Sequence, residues 1–136
     1  MAEPSLALQA AIRARLIASP VVMALVPADH VQDRNTQPEV FPCILIGEAQ
    51  TLPGPGLART RHEVFADLHI WAEEPGLATA KMIAGTIRDA LRTRPWLVPG
   101  FHVADSAIRQ TRFLRDPEGV SHGIITLRAD MVEVGA

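Results

Sequence analysis

Apolar and polar positions alternate across residues 61–73, and then the period changes. Val64, Ala66, Leu68, Ile70 and Ala72 fall on one side of an extended chain, and Glu63, Phe65, Asp67, His69 and Trp71 on the other. Leu77, Ala80, Ala84, Ile87 and Leu91 then recur at near-helical spacing. Residues 61–92 therefore read as a strand, a tight turn and a helix whose apolar faces bury each other. Glu73 and Glu74 precede the helix, where negative charge suits the dipole, and Pro75 suits a first turn. Arg88, Arg92 and Arg94 crowd its far end before Pro95 stops it.

The flanking segments extend this unit. Leu8, Ala11, Ile12 and Leu16 share a helical face, predicting a helix over residues 6–18 that Pro4 and Ser5 start. Gln9, Arg13 and Arg15 fall elsewhere on it and read as its solvated face. Ser19-Pro20 breaks it and opens a short helix over 21–26. Residues 29–38, with Asp33, Asn35 and Gln37, read as a loop with at most a short strand near Val31. Residues 43–48 are apolar on both faces, as in a central strand covered on both sides. Residues 51–60 (TLPGPGLART) hold two Pro and two Gly, which predicts an extended connection rather than ladder. It exceeds the usual hairpin loop of about 2–5 residues and is either idle or an interaction arm. A short strand over 101–104 and a longer one over 107–115 follow. Asp116-Pro117-Glu118-Gly119 then fits a type I turn, and a last strand runs over 122–132. In that strand Ile125, Leu127, Ala129 and Met131 oppose Thr126, Arg128 and Asp130. The expected fold is one α+β domain over residues 1–136, in the order α-α-β-β-α-β-β. It is an antiparallel sheet with helices mainly on one face.

With 48% hydrophobic residues in 136, the chain can bury a real core. Its net charge of −2 gives no electrostatic case for nucleic-acid binding. Four Phe, two Trp and no Tyr are too few for a base-stacking platform. The single cysteine, Cys43, excludes an internal disulfide and reads as a small buried hydrophobe. No signal peptide is expected behind an acidic MAEPS start, and no apolar run nears the roughly 18–20 residues of a membrane span.

Catalytic patterns do not emerge. His30, His62, His69, His102 and His122 share no metal-ligand spacing, so neither metal nor cofactor is expected. Gly54 and Gly56 lack the helix and Gly-Lys-Ser/Thr of a phosphate loop. Asp67 and His69 share a strand face and are within reach of a hydrogen bond, but no nucleophile motif accompanies them. Phe65 and Trp71 among charged groups suit either a protein contact surface or a core layer under the N-terminal helices.

Several pieces in order carry a family resemblance. LALQAAIRARL is followed by SPVVMALV. FPCILIGE at 41–48 fits an F-P-aromatic-apolar-x-I-G-E pattern, with Cys43 in the aromatic's place. HIWAEEPG at 69–76 precedes the helix, and LRDPEGVSHGIITLRA closes the chain at 114–129. Over residues 6–131 the sequence resembles the tail completion or tail terminator proteins of long-tailed phages and gene transfer agents. The resemblance implies a non-enzymatic ring, expected to be a hexamer, at the head-proximal end of the tail tube. Such a ring stops tube growth and meets the head–tail connector or stopper, and DNA passes through its lumen without specific binding. The particle would be assembled in the bacterial cytoplasm. Ring closure needs two different patches on each subunit, which exposed sheet edges and a mixed aromatic-charged face would supply. On this reading the contact residues are Pro53, Gly54, Pro55, Gly56 and Arg59 of the loop and Phe65, Asp67, His69 and Trp71 of the strand face. Arg109, Arg112, Arg115 and Arg128 would form intersubunit salt bridges or instead line the lumen, where a near-neutral net charge argues against tight DNA affinity. The alternatives are another connector or tube ring protein, and a small cytoplasmic enzyme or ligand-binding domain using Asp67 and His69.

Overall fold

A computed structural model of the chain describes residues 2–34, 38–93 and 95–134. Asn35, Gln37 and Arg94, placed above in a loop and at a helix end, lie outside them. The elements are α1 (Pro4–Ile17), α2 (Pro20–Met23), a 3-10 turn (Ala28–His30), β1 (Val31–Asp33), β2 (Cys43–Pro53), β3 (Arg61–Glu73), α3 (Ala78–Arg92), β4 (Phe101–Asp116) and β5 (Val120–Glu133). The expected α+β order holds, with β1 as a short addition. The strands form one sheet in the order β1-β2-β3-β5-β4. Its four long strands are antiparallel, and β1 pairs parallel to β2 at Ile44, Leu45 and Ile46.

The core lies between the sheet and the helices. Val64, Ala66, Leu68 and Ile70 of β3 and Ile125, Leu127, Ala129 and Met131 of β5 are buried in one cluster. Leu8, Ile12 and Leu16 of α1 and Ala80, Ile83, Ala84, Ile87 and Leu91 of α3 complete it. Ile83 joins the stripe read from sequence, while Leu77 sits at the helix N-cap and is only half-buried. Each large side chain in the cluster contributes roughly 1.5–3 kcal/mol. The helices cover only this face, so Phe65 and Trp71 are not under the N-terminal helices.

Local chemistry sets the helix ends. Glu3, not Ser5, caps α1, accepting from the Ser5 and Leu6 amides at 2.8 and 3.2 Å. Pro75 lies in the bend before α3 rather than in its first turn. Glu74 reaches forward instead, accepting from the Thr79 and Ala80 amides at 2.9 and 3.0 Å and from Ser121 Oγ at 2.7 Å. Burial, the largest single influence, pushes its carboxyl up, but these bonds together outweigh it and hold the group below the usual range. Gln9, Arg13 and Arg15 are tethers rather than a solvated face. Gln9 Nε2 donates to Asp33 at 2.7 Å and Arg13 Nε to Val31 O at 3.1 Å. Arg15 donates to the carbonyls of Ala90, Leu91 and Pro95 and lies 4.1 Å over the Trp96 ring. One cation thus satisfies carbonyls at the C-terminal end of α3, where the dipole is negative.

Three strand boundaries depart from the sequence reading. Residues 51–53 continue β2 and pair with β3, ending at Pro53 opposite His62. Proline is tolerated because β1 covers only the first part of β2, leaving this half at an edge where no outward N–H is needed. The connection is therefore residues 54–60. The strands expected over 101–104 and 107–115 are one strand, β4, kept continuous by irregularities at Ala104 and Arg109. β5 begins at Val120, directly after the turn, where Gly119 takes a φ of 76°. Burial of residues 43–46 on both faces is as expected, with Cys43 fully enclosed.

Ile87→Asp places an unpaired carboxylate at a fully buried position. It is expected to abolish soluble folding, and soluble protein with an unchanged melting temperature would remove the helix-on-sheet packing as the basis of the fold. Arg15→Ala is expected to cost about 2–3 kcal/mol in denaturant titration, since three carbonyls lose a charged donor.

Candidate interaction surface

The face of the sheet away from the helices is formed by alternate residues of its strands. Glu63, Phe65, Asp67, His69 and Trp71 of β3 are all half-buried, as are His122, Ile124, Thr126, Arg128 and Asp130 of β5. Cross-strand register decides which of them meet. Phe65 lies opposite Arg128, Asp67 opposite Thr126, His69 opposite Ile124 and Trp71 opposite His122.

Asp67 and His69 do not pair with each other. Two positions along a strand are about 6.6 Å apart, so each turns to a cross-strand neighbour. Thr126 Oγ1 donates to Asp67 Oδ1 at 2.7 Å. His69 Nδ1 lies 2.8 Å from His122 Nε2, and His69 Nε2 lies 3.2 Å from Glu48 Oε2. His122 stacks on Trp71 with ring centroids 3.8 Å apart and planes 9° from parallel. A line of Glu48, His69, His122 and Trp71 thus crosses three strands. Burial, and secondarily the charge on His69, pushes the His122 pKa down to about 4, with Asp116 partly opposing.

Arg128 is the second centre. It donates from Nε to Glu63 at 2.6 Å and from Nη2 to both Asp130 oxygens at 2.8 and 2.9 Å, with Asp105 at 3.7 Å. The Glu63 hydrogen bond is the largest influence raising its pKa further. Arg128 is therefore held by carboxylates of its own chain. Arg109, Arg112 and Arg115 are exposed along β4 and do not converge. Arg112 lies opposite Ile124 on the open face, Arg115 opposite Ser121 on the helix side, and Arg109 at an irregularity between Ile108 and Gln110.

The loop stands apart from both centres. Gly54 is anchored through its amide to Arg61 O at 2.8 Å, while Pro53, Pro55, Gly56 and Arg59 are exposed. Gly56 takes a φ of 112°, and Arg59 takes 60°, a left-handed conformation that costs a non-glycine residue about 1 kcal/mol. Leu57 at the tip is 97% exposed. Sequence reasoning missed Glu48, Glu63, His122 and Asp130 because their importance depends on register. The Asp116-Pro117-Glu118-Gly119 turn fixes β4 against β5, but nothing local says that β5 also lies beside β3.

Chemically the face offers a satisfied polar lattice rather than a reaction centre. Burial raises the Cys43 thiol to about 11, so it is a poor nucleophile. Among the described residues no three His, Cys, Asp or Glu side chains converge as a metal site. No described helix is long and apolar enough to cross a membrane.

A single sheet with one helical layer and one open face defines an α+β scaffold shared with components of phage-like particles. A chain from a structure described as the virion of native gene transfer agent particle superposes with a TM-score of 0.80. It is 20% identical and covers 92% of this chain and 94% of its own. The bacteriophage SPP1 gp17 protein gives a TM-score of 0.60 at 24% identity, covering 97% of this chain and 91% of its own. At these identities the likeness concerns the fold. A profile of the family described as tail completion protein gp17 matches residues 10–131. The chain belongs to the tail completion protein gp17 family. A search of curated proteins by sequence finds no match.

The low His122 pKa has a signed consequence. The folded protein keeps the imidazole neutral down to about 4, while the unfolded chain protonates it near 6.5. Stability present above pH 6.5 is therefore lost progressively as pH falls towards 4. After allowance for solvent screening the loss is about 1–2 kcal/mol. Melting curves of wild type and His122→Gln across this range check it: the variant should show a shallower acid slope, and identical slopes would refute the assignment.

Proposed function

We propose that this protein is a tail terminator: a non-enzymatic ring of identical subunits, six in number, that caps the tail tube of a phage or gene transfer agent and joins it to the head connector. The observation that carries this reading is the family match over residues 10–131, which spans every element of the fold except the ends of α1 and β5. Capping follows from surface chemistry. The ring occupies the growing end of the tube and presents no copy of the surface that recruits the next tube ring. The open sheet face and the loop are the surfaces it offers to neighbouring copies, to the tube protein and to the connector. DNA crosses the lumen without tight binding, consistent with a net charge of −2. The particle assembles in the bacterial cytoplasm.

Native mass spectrometry of the purified protein and electron microscopy of particles test this. Sixfold rings, or density of this protein at the head end of the tail, are expected. Particles lacking it should show tubes of uncontrolled length and heads without tails; normal joined particles in its absence would overturn the reading. Because Gly54 is anchored to Arg61, the loop can be shortened within residues 55–58 without touching the ladder. That variant should keep its melting temperature within a few degrees yet join heads to tails at least tenfold less efficiently. Full yields of infectious or gene-transferring particles would show the loop to be idle.

A further inference from the structure

The sheet ends in two unequal edges, and their geometry is complementary. Among the described residues β4 pairs with β5 and, apart from an isolated bridge from Val98 to its first residue Phe101, with nothing on its outer side, and β2 pairs with β1 only at Ile44, Leu45 and Ile46. Residues 49–53 of β2 therefore form a second open edge at the opposite side of the same sheet. Each edge has a defined set of outward backbone groups. The Gly54 amide donates to Arg61 O, and bonded pairs recur at every second residue of an antiparallel ladder. Gln50 and Leu52 thus bond β3, whereas Ala49, Thr51 and Pro53 turn their backbone groups outward. Pro53, which has no N–H, occupies one of these outward positions. On the other side, the Val134 amide donates to Gly100 O, so even-numbered β5 residues bond β4. Asp105, Ala107 and Gln110 then face β5, and Ser106, Ile108 and Thr111 turn their backbone groups outward.

The two sets lie in the same rows. Thr51 pairs with Val64, Val64 with Ala129, and Ala129 with Ser106. Ala49 runs through Ala66 and Leu127 to Ile108. The ladder irregularities align as well, since the shift at Gly47 and Glu48 and the one at Arg109 flank the same level of the sheet. They place side chains of opposite charge there, Glu48 on one edge and Arg109 on the other, both exposed. Strand direction also agrees. Successive antiparallel pairings through β3 and β5 leave β2 and β4 running oppositely. Rotation about an axis along the strands preserves direction, so β4 of one copy meets β2 of the next antiparallel.

We propose that the outward edge of β4 pairs antiparallel with residues 49–53 of β2 in a neighbouring copy, so that the sheet continues from subunit to subunit. The contact is heterologous, as a closed ring requires, and it satisfies backbone groups that a monomer leaves to water. It rests on the ring reading above and specifies how that ring closes. At zero stagger Thr51 faces Ser106 and Ala49 faces Ile108; tilting the strands moves this register in steps of two residues.

The test combines backbone and cross-link variants. Thr51→Pro removes an amide that points away from β3 and also the hydroxyl that donates to Glu3 at 2.7 Å. Thr51→Ala, which loses only that hydroxyl bond, is its control, and both monomers should retain a cooperative melt while Thr51→Ala still forms rings. The proportion of Thr51→Pro protein in rings, isolated or on tails, should fall at least tenfold. Leu52→Pro, which removes a β3-facing amide, should instead unfold the monomer. Thr51→Cys mixed with Val103→Cys, Ser106→Cys or Ile108→Cys should give an intersubunit disulfide with at least one partner under mild oxidation. Rings formed by wild type and Thr51→Pro equally, or no cross-link to any of the three, would overturn the pairing. Absence of rings from wild type, both alone and on tails, would overturn the ring reading and the pairing with it.

Discussion

The structure depends on one two-sided burial. The even-numbered residues of β3 and the odd-numbered residues of β5 form a continuous apolar floor, on which α1 and α3 lie. Hydrophobic burial is non-directional, so it can hold the helices on the sheet but does not orient them. Orientation comes from a few directed contacts. Arg15 ties α1 to the end of α3, Arg13 and Gln9 tie α1 to β1 and the turn before it, and Glu74 joins the start of α3 to Ser121 of β5. The Arg and Glu74 contacts use a charged group to satisfy backbone or hydroxyl groups near element ends, where groups lack a partner within their own element, whereas Gln9 donates to the Asp33 carboxylate.

Putting both long helices on one face leaves the other without a helical cover. That open face is not an apolar patch awaiting cover. Its carboxylates, histidines and Arg128 largely satisfy one another across β3, β5 and the adjoining strands. Such a face satisfies most of its polar groups internally yet leaves Phe65 and Trp71 only half-buried, the composition on which the proposed contact surface rests. The sheet edges carry the complementary property. Their backbone groups bond strongly and directionally, while irregularities at Glu48 and Arg109 limit where a foreign strand can align.

Much of this was legible in the residues. The alternation over 61–73 and the helical stripe that follows identified the scaffold because each has a period that only one secondary structure satisfies. The family resemblance was legible through the order of several weak motifs, and the profile match over residues 10–131 bears it out. Misreadings came where local propensity competed with tertiary context. Two prolines and two glycines argued against ladder at 51–53, but an edge strand tolerates a proline whose N–H would point outward. Arg13 and Arg15 looked like solvent-facing charges because their acceptors are carbonyls, which carry no sequence signature.

By itself the sequence determined most of the elements, the buried faces of α1, β3, α3 and β5, and the family, since periodicity and capping act over a few residues. Only the tertiary structure decided which elements became neighbours. It set β5 between β3 and β4, stacked His122 on Trp71 and surrounded Arg128 with carboxylates from three strands. Among the described residues it also left the outer side of β2 unpaired beyond Ile46. Strand order is set by how all the apolar faces are buried at once, and no local stretch of the chain encodes that global condition.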